Sequence, residues 1–392
     1  MLARVILKAG RDKPARGGNP WIFSQAISRT EPPDLAAGEI VEVFDSTNQR
    51  VGLGYYHPKT TIAVRLLEWS AENHSAEEVI SRRLESALHL RKRIIRSDTD
   101  CYRLVNGDGD SLSGLVVDVY AGAAVVQILT TGMDRLRDFL TSELNRLLSP
   151  TCIFERSAGA VRREEGLEDR TDLLCGELVT EIEAQENGIR YLIDLTHGQK
   201  SGFFLDQREN RLLARNFALN ASVLDIYSYT GGFSLNAIAA GAAHVTAVDT
   251  SSRALDLLGR NVEANGFDAS RTEVVRADAS EFLHTSERKF GLIVMDPPPL
   301  ARSRTDAARA EHLYVEVNAL ALKALAPGGC ILTFSCSTHF RGEEFVRAVR
   351  IAQTKGGRQM RMLARLGAAP DHPVLLGHPE GEYLTGILLA DL

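Results

Sequence analysis

Positive charge is in short supply. The 392 residues carry 45 Lys and Arg against 51 Asp and Glu, a formal net charge of −6, whereas coating nucleic acid nonspecifically normally needs a large excess of bases. Cysteine is equally sparse. Cys101, Cys152, Cys175, Cys330 and Cys336 form no C-x-x-C pair and no regular spacing, so neither a disulfide framework nor a zinc knuckle is indicated, and free thiols in a reducing compartment are expected. No uncharged apolar run is long enough to span a bilayer, and Met1–Gly10 carries neither a long hydrophobic stretch nor a small-residue cleavage site. A cytoplasmic protein with no membrane and no metal partner is the expectation. What remains, 44% hydrophobic and 24% charged residues, is ordinary globular composition, at a length that accommodates two or three domains.

The first 70 or so residues read as short strands at Val5–Lys8, Glu39–Phe44, Arg50–Tyr56 and Thr61–Leu67, punctuated by Gly17–Gly18, Asn19–Pro20, Pro32–Pro33 and His57–Pro58. A small β barrel is expected. Its first 20 residues hold Arg4, Lys8, Arg11, Lys13 and Arg16 against Asp12 alone, a local positive excess where a phosphate backbone would sit. From Ser75 to Arg96 apolar residues recur at helical spacing behind a Ser75/Glu78 capping box. Arg82, Arg83, Arg91, Lys92, Arg93 and Arg96 make this helix positive, and a solvated face is the simpler reading of it than direct RNA contact. Strands at Tyr102–Val105, Gly114–Val119, Ala124–Leu129 and Cys152–Arg156, with an amphipathic helix Met133–Leu148, make 71–185 a separate α/β unit. After Gly188 strands and helices alternate, the pattern of a parallel sheet covered on both faces: strands Ser222–Tyr227, His244–Asp249, Thr272–Arg276, Leu292–Asp296 and Cys330–Ser335, with helices near Phe233–Ala240, Arg253–Asn265 and Glu311–Ala326.

A ligand crevice follows from that pattern. The strand Val223–Tyr227 runs into Ser228-Tyr229-Thr230-Gly231-Gly232 and then a helix; glycines there let a backbone approach a ligand, and the helix start offers unpaired N–H groups. The dinucleotide fingerprint G-x-G-x-x-G is absent, with Tyr227 and Tyr229 where its first glycines would lie, which counts against NAD. Asp249 ends the next strand 18 residues after Gly231, close to the roughly 20 expected of an acid that takes a ribose diol. With Asp225, Asp278 and Asp296, four acids follow successive strands, and such positions face one crevice in open α/β sheets.

These residues carry a resemblance. Asp225-Ile-Tyr-Ser-Tyr-Thr-Gly-Gly-Phe-Ser, Val248-Asp249-Thr-Ser, Asp278, Asp296-Pro-Pro-Pro and Ser335-Cys-Ser resemble motifs I, II, III, IV and VI of class I S-adenosylmethionine-dependent RNA methyltransferases. His197-Gly-Gln-Lys-Ser-Gly-Phe-Phe-Leu-Asp-Gln-Arg is similar to a signature of the bacterial large-subunit (23S) rRNA cytosine-C5 methyltransferases with an N-terminal PUA domain. Gly17–Ser24, Tyr102–Asp118, Asp371-His-Pro and Pro379-Glu-Gly-Glu-Tyr-Leu match as well, so the resemblance covers essentially the whole chain. It implies a PUA-like RNA-binding β barrel over 1–70, a middle α/β domain over 71–185 and a Rossmann-like methyltransferase domain over 186–392. By the same resemblance Ser228, Tyr229, Thr230, Gly231 and Gly232 would hold the methionine end of S-adenosylmethionine, Asp249 the ribose and Asp278 the adenine amino group, with Phe203, Asp206 and Arg208 lining the same pocket. The chemistry agrees, because an amino-acid head, a diol and an exocyclic amine all suit carboxylate acceptors.

Cytosine C5 is a poor nucleophile, and adding a thiolate at C6 makes it enamine-like. Cys336, just past an apolar strand, is the candidate nucleophile; Cys101, Cys152, Cys175 and Cys330 read as packing or surface. Asp296 would hydrogen-bond a flipped cytosine, with Pro297 and Pro298 fixing the backbone that presents it. Relatives with two cysteines place the second after this segment, where Pro299 stands here, so the resemblance implies a single-cysteine enzyme with Asp296 or water as candidate base for the C5 proton. Pro299-Leu300 and Thr385 depart from residues common in relatives. Two other readings compete: methylation of a guanine nitrogen, which needs no thiolate, and an RNA-binding ribosome assembly factor without catalysis. A homodimer is compatible with the sequence, and few, local phosphate contacts imply a shallow salt dependence of RNA binding.

Overall fold

The computed structural model describes residues 2–69, 74–300, 307–337 and 340–392, with the backbone alone at 307–308. The boundary expected at 70/71 lies outside the described residues. Contacts divide the chain into two compact units: Met1–Ala184 with Ile193–Leu205 and Pro370–Glu382, and Gln185–Leu192 with Asp206–Ala369 and Tyr383–Leu392. Two short segments of the C-terminal half, 193–205 and 370–382, thus pack with the N-terminal half.

The first unit holds two sheets. Strands β1 (Ala3–Leu7), β2 (Trp21–Phe23), β3 (Ile27–Glu31), β4 (Glu39–Phe44), β5 (Arg50–Tyr56) and β6 (Ile62–Glu68) lie in the order β2-β6-β5-β4-β1-β3. Only the β1–β4 pair is parallel. Val5, Leu7, Val41, Val43, Val51, Val64 and Leu66 form its apolar core. Sequence pattern misses β2, which is three residues long, and β3, whose Ser28, Arg29 and Thr30 give no apolar alternation. The second sheet has the order β11-β10-β9-β8-β7, from β7 (Cys101–Asn106), β8 (Leu115–Tyr120), β9 (Ala123–Ile128), β10 (Cys152–Ser157) and β11 (Arg170–Gly176).

The helix Ala76–Ile94 begins as its sequence dictates: Ser75 Oγ accepts from Glu78 N while the Glu78 carboxylate accepts from Ser75 N. Val79, Ile80, Leu84 and Ala87 bury against Leu104, Val117 and Val126. Arg91 corrects the charge count of this helix. It is 1% exposed, donates to Asp110 at 2.7 Å and to Asp371 O at 2.7 Å, and so belongs neither to a solvated face nor to an RNA surface. Two of the five N-terminal bases are likewise paired with acids, Arg4 with Glu31 and Arg16 with Asp12 and Asp45.

The expected helix Met133–Leu148 is two helices, Thr131–Arg135 and Arg137–Leu148, parted at Leu136 (φ −96°, ψ 11°). Tertiary contacts override the local pattern. Thr131 N and Oγ1 are held by the Glu165 carboxylate, and Gly132 lies so flat on the Tyr55 ring that a Cβ there would stand 2.2 Å from it.

Segment 370–382 explains motifs that chemistry leaves unused. Asp371 accepts from Arg103 N at 2.9 Å, and Asn106 Nδ2 donates to Pro373 O at 3.0 Å. A Cβ on Gly109 would lie 1.9 Å from Pro373 O, so only glycine fits. The Trp21 ring lies 4.2 Å from the His378 ring, tilted at 59° to it, and donates Nε1–H to Asp108. The Gly17–Ser24, Asn106–Asp110 and Asp371–Pro373 motifs therefore meet in one polar knot.

A hairpin, β12 (Glu181–Glu186) and β13 (Ile189–Asp194), precedes the seven-stranded sheet of the second unit. That sheet runs β16-β15-β14-β17-β18-β20-β19, from β14 (Ser222–Ile226), β15 (His244–Asp249), β16 (Thr272–Arg276), β17 (Phe290–Met295), β18 (Leu325–Ser335), β19 (Met360–Leu366) and β20 (Thr385–Asp391). The first five are parallel; β20 is antiparallel to β18 and β19. Leu224, Ile226, Ile293 and Met295 are buried on one side with the helices Ala307–Ala324 and Glu343–Gly356, while Val223, Leu292 and Val294 pack on the other with Phe233 and Ala237, as a sheet covered on both faces requires. Among the described residues no helix is long and apolar enough to cross a membrane.

Candidate active site

Five adjacent parallel strands end side by side, and each end carries a residue of chemical interest: Asp278 after β16, Asp249 on β15, Asp225 on β14, Asp296 after β17 and Cys336 after β18. The chain reverses its winding between β15 and β17, on either side of β14, which is where open α/β sheets take ligands.

The turn after β14 does what glycines do elsewhere, with tyrosines. Tyr227 and Tyr229 have φ +64° and +48°, beside Gly231 at +87°. The left-handed region costs an L-residue roughly 1 kcal/mol or more, so the surroundings must hold these two in place. Ser228 N donates to Val248 O, Gly231 N to Ser228 O, and Tyr229 N to Asp249 Oδ2 at 2.9 Å. Gly231 is further constrained, since a Cβ would meet Leu258 at 2.7 Å. The helix Gly232–Ala239 starts here.

Asp225 departs from the expectation that all four acids face the crevice. It is 1% exposed, and its Oδ2 accepts from Ser234 N (2.9 Å) and Ser234 Oγ (2.6 Å). Burial raises its pKa to about 7 against those hydrogen bonds, with the Asp296 and Asp249 charges adding to the rise. Asp225 fixes the helix start, and residue spacing alone does not distinguish this from a ligand-facing acid. Asp249 accepts from Tyr229 N and Ser251 N, one on each oxygen, which leaves lone pairs on both. Asp278 caps the helix Ala279–Thr285 through Oδ1 alone, accepting from Ser280 N and Glu281 N.

Asp206 and Arg208 are buried in the second unit. Tyr383 Oη donates to Asp206 Oδ2 at 2.6 Å, and Ala369 N donates to Asp206 O. Phe203 belongs to the first unit, where it is also buried. Ser228 Oγ is buried without a hydrogen-bond partner, an arrangement that asks for a ligand group. Together, this orphan hydroxyl, the Asp249 lone pairs and the open face of the 228–232 turn fit a ligand bearing an amino-acid head and a diol.

Cys336 is neither core nor surface: it is half-buried and packs at the rim of an apolar cluster with Phe334 and Leu384. Its Sγ lies 3.6 Å from Pro297 O, which brings the thiol to the Asp296-Pro297-Pro298 segment. Pro297 is buried and Pro298 exposed. Cys101 and Cys152 are fully buried, and Cys330, whose thiol burial pushes up in pKa, sits within β18. The serines beside Cys336 are tied down, Ser335 Oγ to Tyr314 Oη and Phe340 O, and Ser337 Oγ to Tyr314 Oη. Residue motifs miss Tyr314; the signal for it is a tyrosine on the apolar side of the helix that precedes the cysteine strand. Thr385 Oγ1 accepts from Gly342 N. Among the described residues no group of three or more His, Cys, Asp or Glu side chains could hold a metal ion.

Comparison with known proteins places these features in context. Residues 5–69 match the model of a PUA-like domain, and residues 109–375 that of S-adenosylmethionine-dependent methyltransferases. A ribosomal RNA large subunit methyltransferase I of Alteromonas mediterranea is 37% identical over 99% of this chain and 98% of its own. Two solved structures share the fold over the full length of both chains at 21% identity: a putative methyltransferase from Streptococcus mutans (TM-score 0.83) and a putative methyltransferase complexed with SAH (TM-score 0.85).

Proposed function

The chain belongs to the S-adenosylmethionine-dependent large-subunit rRNA methyltransferases, and from that premise we propose that it forms 5-methylcytosine in 23S rRNA through a Cys336 adduct at C6 of a flipped cytosine. The observation that carries this reading is the approach of Cys336 Sγ to Pro297 O at 3.6 Å, which sets a thiol beside the Asp-Pro-Pro segment at the ligand edge of the sheet. Nitrogen methylation has no use for a thiol there.

S-adenosylmethionine, when bound, supplies a methyl group on a positively charged sulfur. The Ser228–Gly232 turn would take its amino-acid head, Asp249 its diol and Asp278 its adenine amine, with Asp206 and Arg208 as further pocket residues. Cys336 acts as the nucleophile. Deprotonated, it forms the S–C6 bond and pushes electron density onto C5. Asp296 hydrogen-bonds the cytosine at N3 or N4, and Pro297 and Pro298 hold that carboxylate on an extended backbone. Once C5 carries the methyl group, its proton leaves to Asp296 or to water, the S–C6 bond breaks and the thiolate is restored. Residues 1–70 would serve as the RNA-binding domain and 71–185 as a middle domain that supports it. Flipping costs a few kcal/mol unless the target is already unpaired.

Methyl transfer to unmodified 23S rRNA by the parent and by Cys336→Ser tests the reading, beside bisulfite sequencing of rRNA from a strain lacking the gene. We expect no transfer by Cys336→Ser, nearly unchanged S-adenosylmethionine affinity, and one cytosine that loses its bisulfite resistance in the deletion strain. Full activity of Cys336→Ser points instead to a nitrogen target. No transfer by the parent protein points to an assembly factor.

A further inference from the structure

We infer that Tyr314 is the positioning residue that sets Cys336 against the Asp296-Pro297-Pro298 segment, an inference that rests on the cysteine reading above. Tyr314 lies on the helix Ala307–Ala324 and is fully buried. Its ring stacks on Phe340 at 5.2 Å and 8°, and meets the Phe345 ring edge-on at 5.4 Å, which fixes where the hydroxyl points.

Tyr314 meets two loops. On one side are the serines flanking the cysteine, with Ser335 Oγ at 2.9 Å and Ser337 Oγ at 3.1 Å. On the other, Leu300, which closes the stretch that begins at Asp296, packs against the apolar cluster that holds Tyr314. Ser335 Oγ is the donor toward both Tyr314 Oη and Phe340 O, the latter at 2.8 Å, so its one proton is shared between the two. Ser337 Oγ hydrogen-bonds Tyr314 Oη, and Ser337 N donates to Ser335 Oγ at 3.3 Å. These bonds hold Tyr314 to the residues on both sides of Cys336, whose Sγ lies 3.6 Å from Pro297 O. A network closed in this way holds geometry more firmly than its separate bonds, and misplacing a reacting group by about 1 Å costs on the order of 100-fold in rate.

Tyr314→Phe keeps both ring contacts and removes the joint. We expect methyl transfer to slow by roughly 10- to 100-fold while S-adenosylmethionine affinity stays within about 2-fold and the thermal midpoint reports a folded protein. The readout specific to positioning is the rate at which RNA carrying 5-fluorocytosine at the target is trapped as a covalent adduct. It should fall by the same factor as turnover, with Ser337→Ala showing a smaller loss in the same direction. Parent-like trapping and turnover by Tyr314→Phe would overturn the inference, as would a loss of cofactor affinity that accounts for the slower turnover. Cys336→Ser in the same assay separates the two failures. An active Cys336→Ser enzyme overturns the cysteine reading and this inference with it; an inactive one beside a fully active Tyr314→Phe overturns this inference alone.

Discussion

The two units hold their acids in opposite ways. In the first, Asp118 and Glu155 are fully buried and Glu165 nearly so, and arginines meet them: Arg103, Arg137 and Arg65. At the strand ends of the second unit, Asp225, Asp249 and Asp278 are met by backbone N–H groups and a serine hydroxyl instead. A carboxylate closed by a bidentate guanidinium is neutralised and has its lone pairs engaged. One held by amides keeps its charge and, for Asp249 and Asp278, acceptor capacity directed outward. Counting acids therefore says little about function, and the donor that meets each acid says much. The second unit does hold a closed pair of its own, Arg211 with Glu186 at 2.6 and 2.7 Å, set against the 228–232 turn, where a Cβ on Gly232 would come 3.0 Å from Arg211 Cδ.

The largest expected effect breaks the closed side of this comparison. Asp118 takes both arms of Arg103, at 2.8 and 3.0 Å, and a hydrogen bond from Ser201. Asp118→Ala takes the carboxylate from that guanidinium, whose side chain is 14% exposed, and losing one partner of a buried pair costs about 3–5 kcal/mol. Urea unfolding should show that loss, while calorimetry on the folded variant returns the parent's S-adenosylmethionine affinity. Parent-like stability, or weakened cofactor binding in folded protein, would mean that Asp118 is not the purely structural acid its partners make it.

Much of the second unit is legible in its sequence, because its strands are short apolar runs ending in turn residues. His244–Asp249 and Thr272–Arg276 have the bounds their residues suggest, and the capping box at Ser75 forms as spelled. Less is legible where long-range contact decides. Leu136 breaks a helix because Thr131 answers to Glu165 rather than to its own helical period. Arg91 reads as surface charge until the Asp371 segment returns to cover it. Tyr227 and Tyr229 take conformations that a residue pattern reserves for glycine. Tyr314 stands 22 positions before Cys336, and no local spacing announces that one hydroxyl will bond the serines on both sides of it.

Asp225 tests the open side from within, since it is the one acid there that water does not reach. Its folded pKa is raised to about 7 by burial, above the roughly 3.9 of an unfolded aspartate. Between those values the folded state binds more protons than the unfolded one, so stability falls as pH rises through that window. Asp225→Asn removes the titration and keeps an oxygen to accept from Ser234. The parent-minus-variant stability should therefore drop between pH 4 and pH 8 by an amount on the order of a few kcal/mol, read from thermal midpoints across pH. A flat difference would show that Asp225 stays ionised in the fold.

The smallest effect makes the sharpest contrast, because Ser75 and Asp278 perform the same local task in the two units. Each caps a helix by accepting backbone N–H groups, Ser75 from Glu78 and Asp278 from Ser280 and Glu281. Removing either cap with alanine should cost about 1 kcal/mol. The difference lies in what the cap leaves over: the serine oxygen is closed into a capping box, whereas Asp278 caps through Oδ1 and keeps Oδ2, to which we assign the cofactor's adenine amine. Asp278→Ser is the variant that isolates this remainder, since serine caps well but lacks the second oxygen. Stability close to the parent's, with S-adenosylmethionine binding weakened by about tenfold, corresponding to one charge-assisted hydrogen bond of about 1.4 kcal/mol, is the expected result. Ser75→Ala should move stability and leave binding untouched. If Asp278→Ser binds the cofactor as the parent does, Asp278 is a cap and nothing more, and the adenine must be held by other groups at the strand ends.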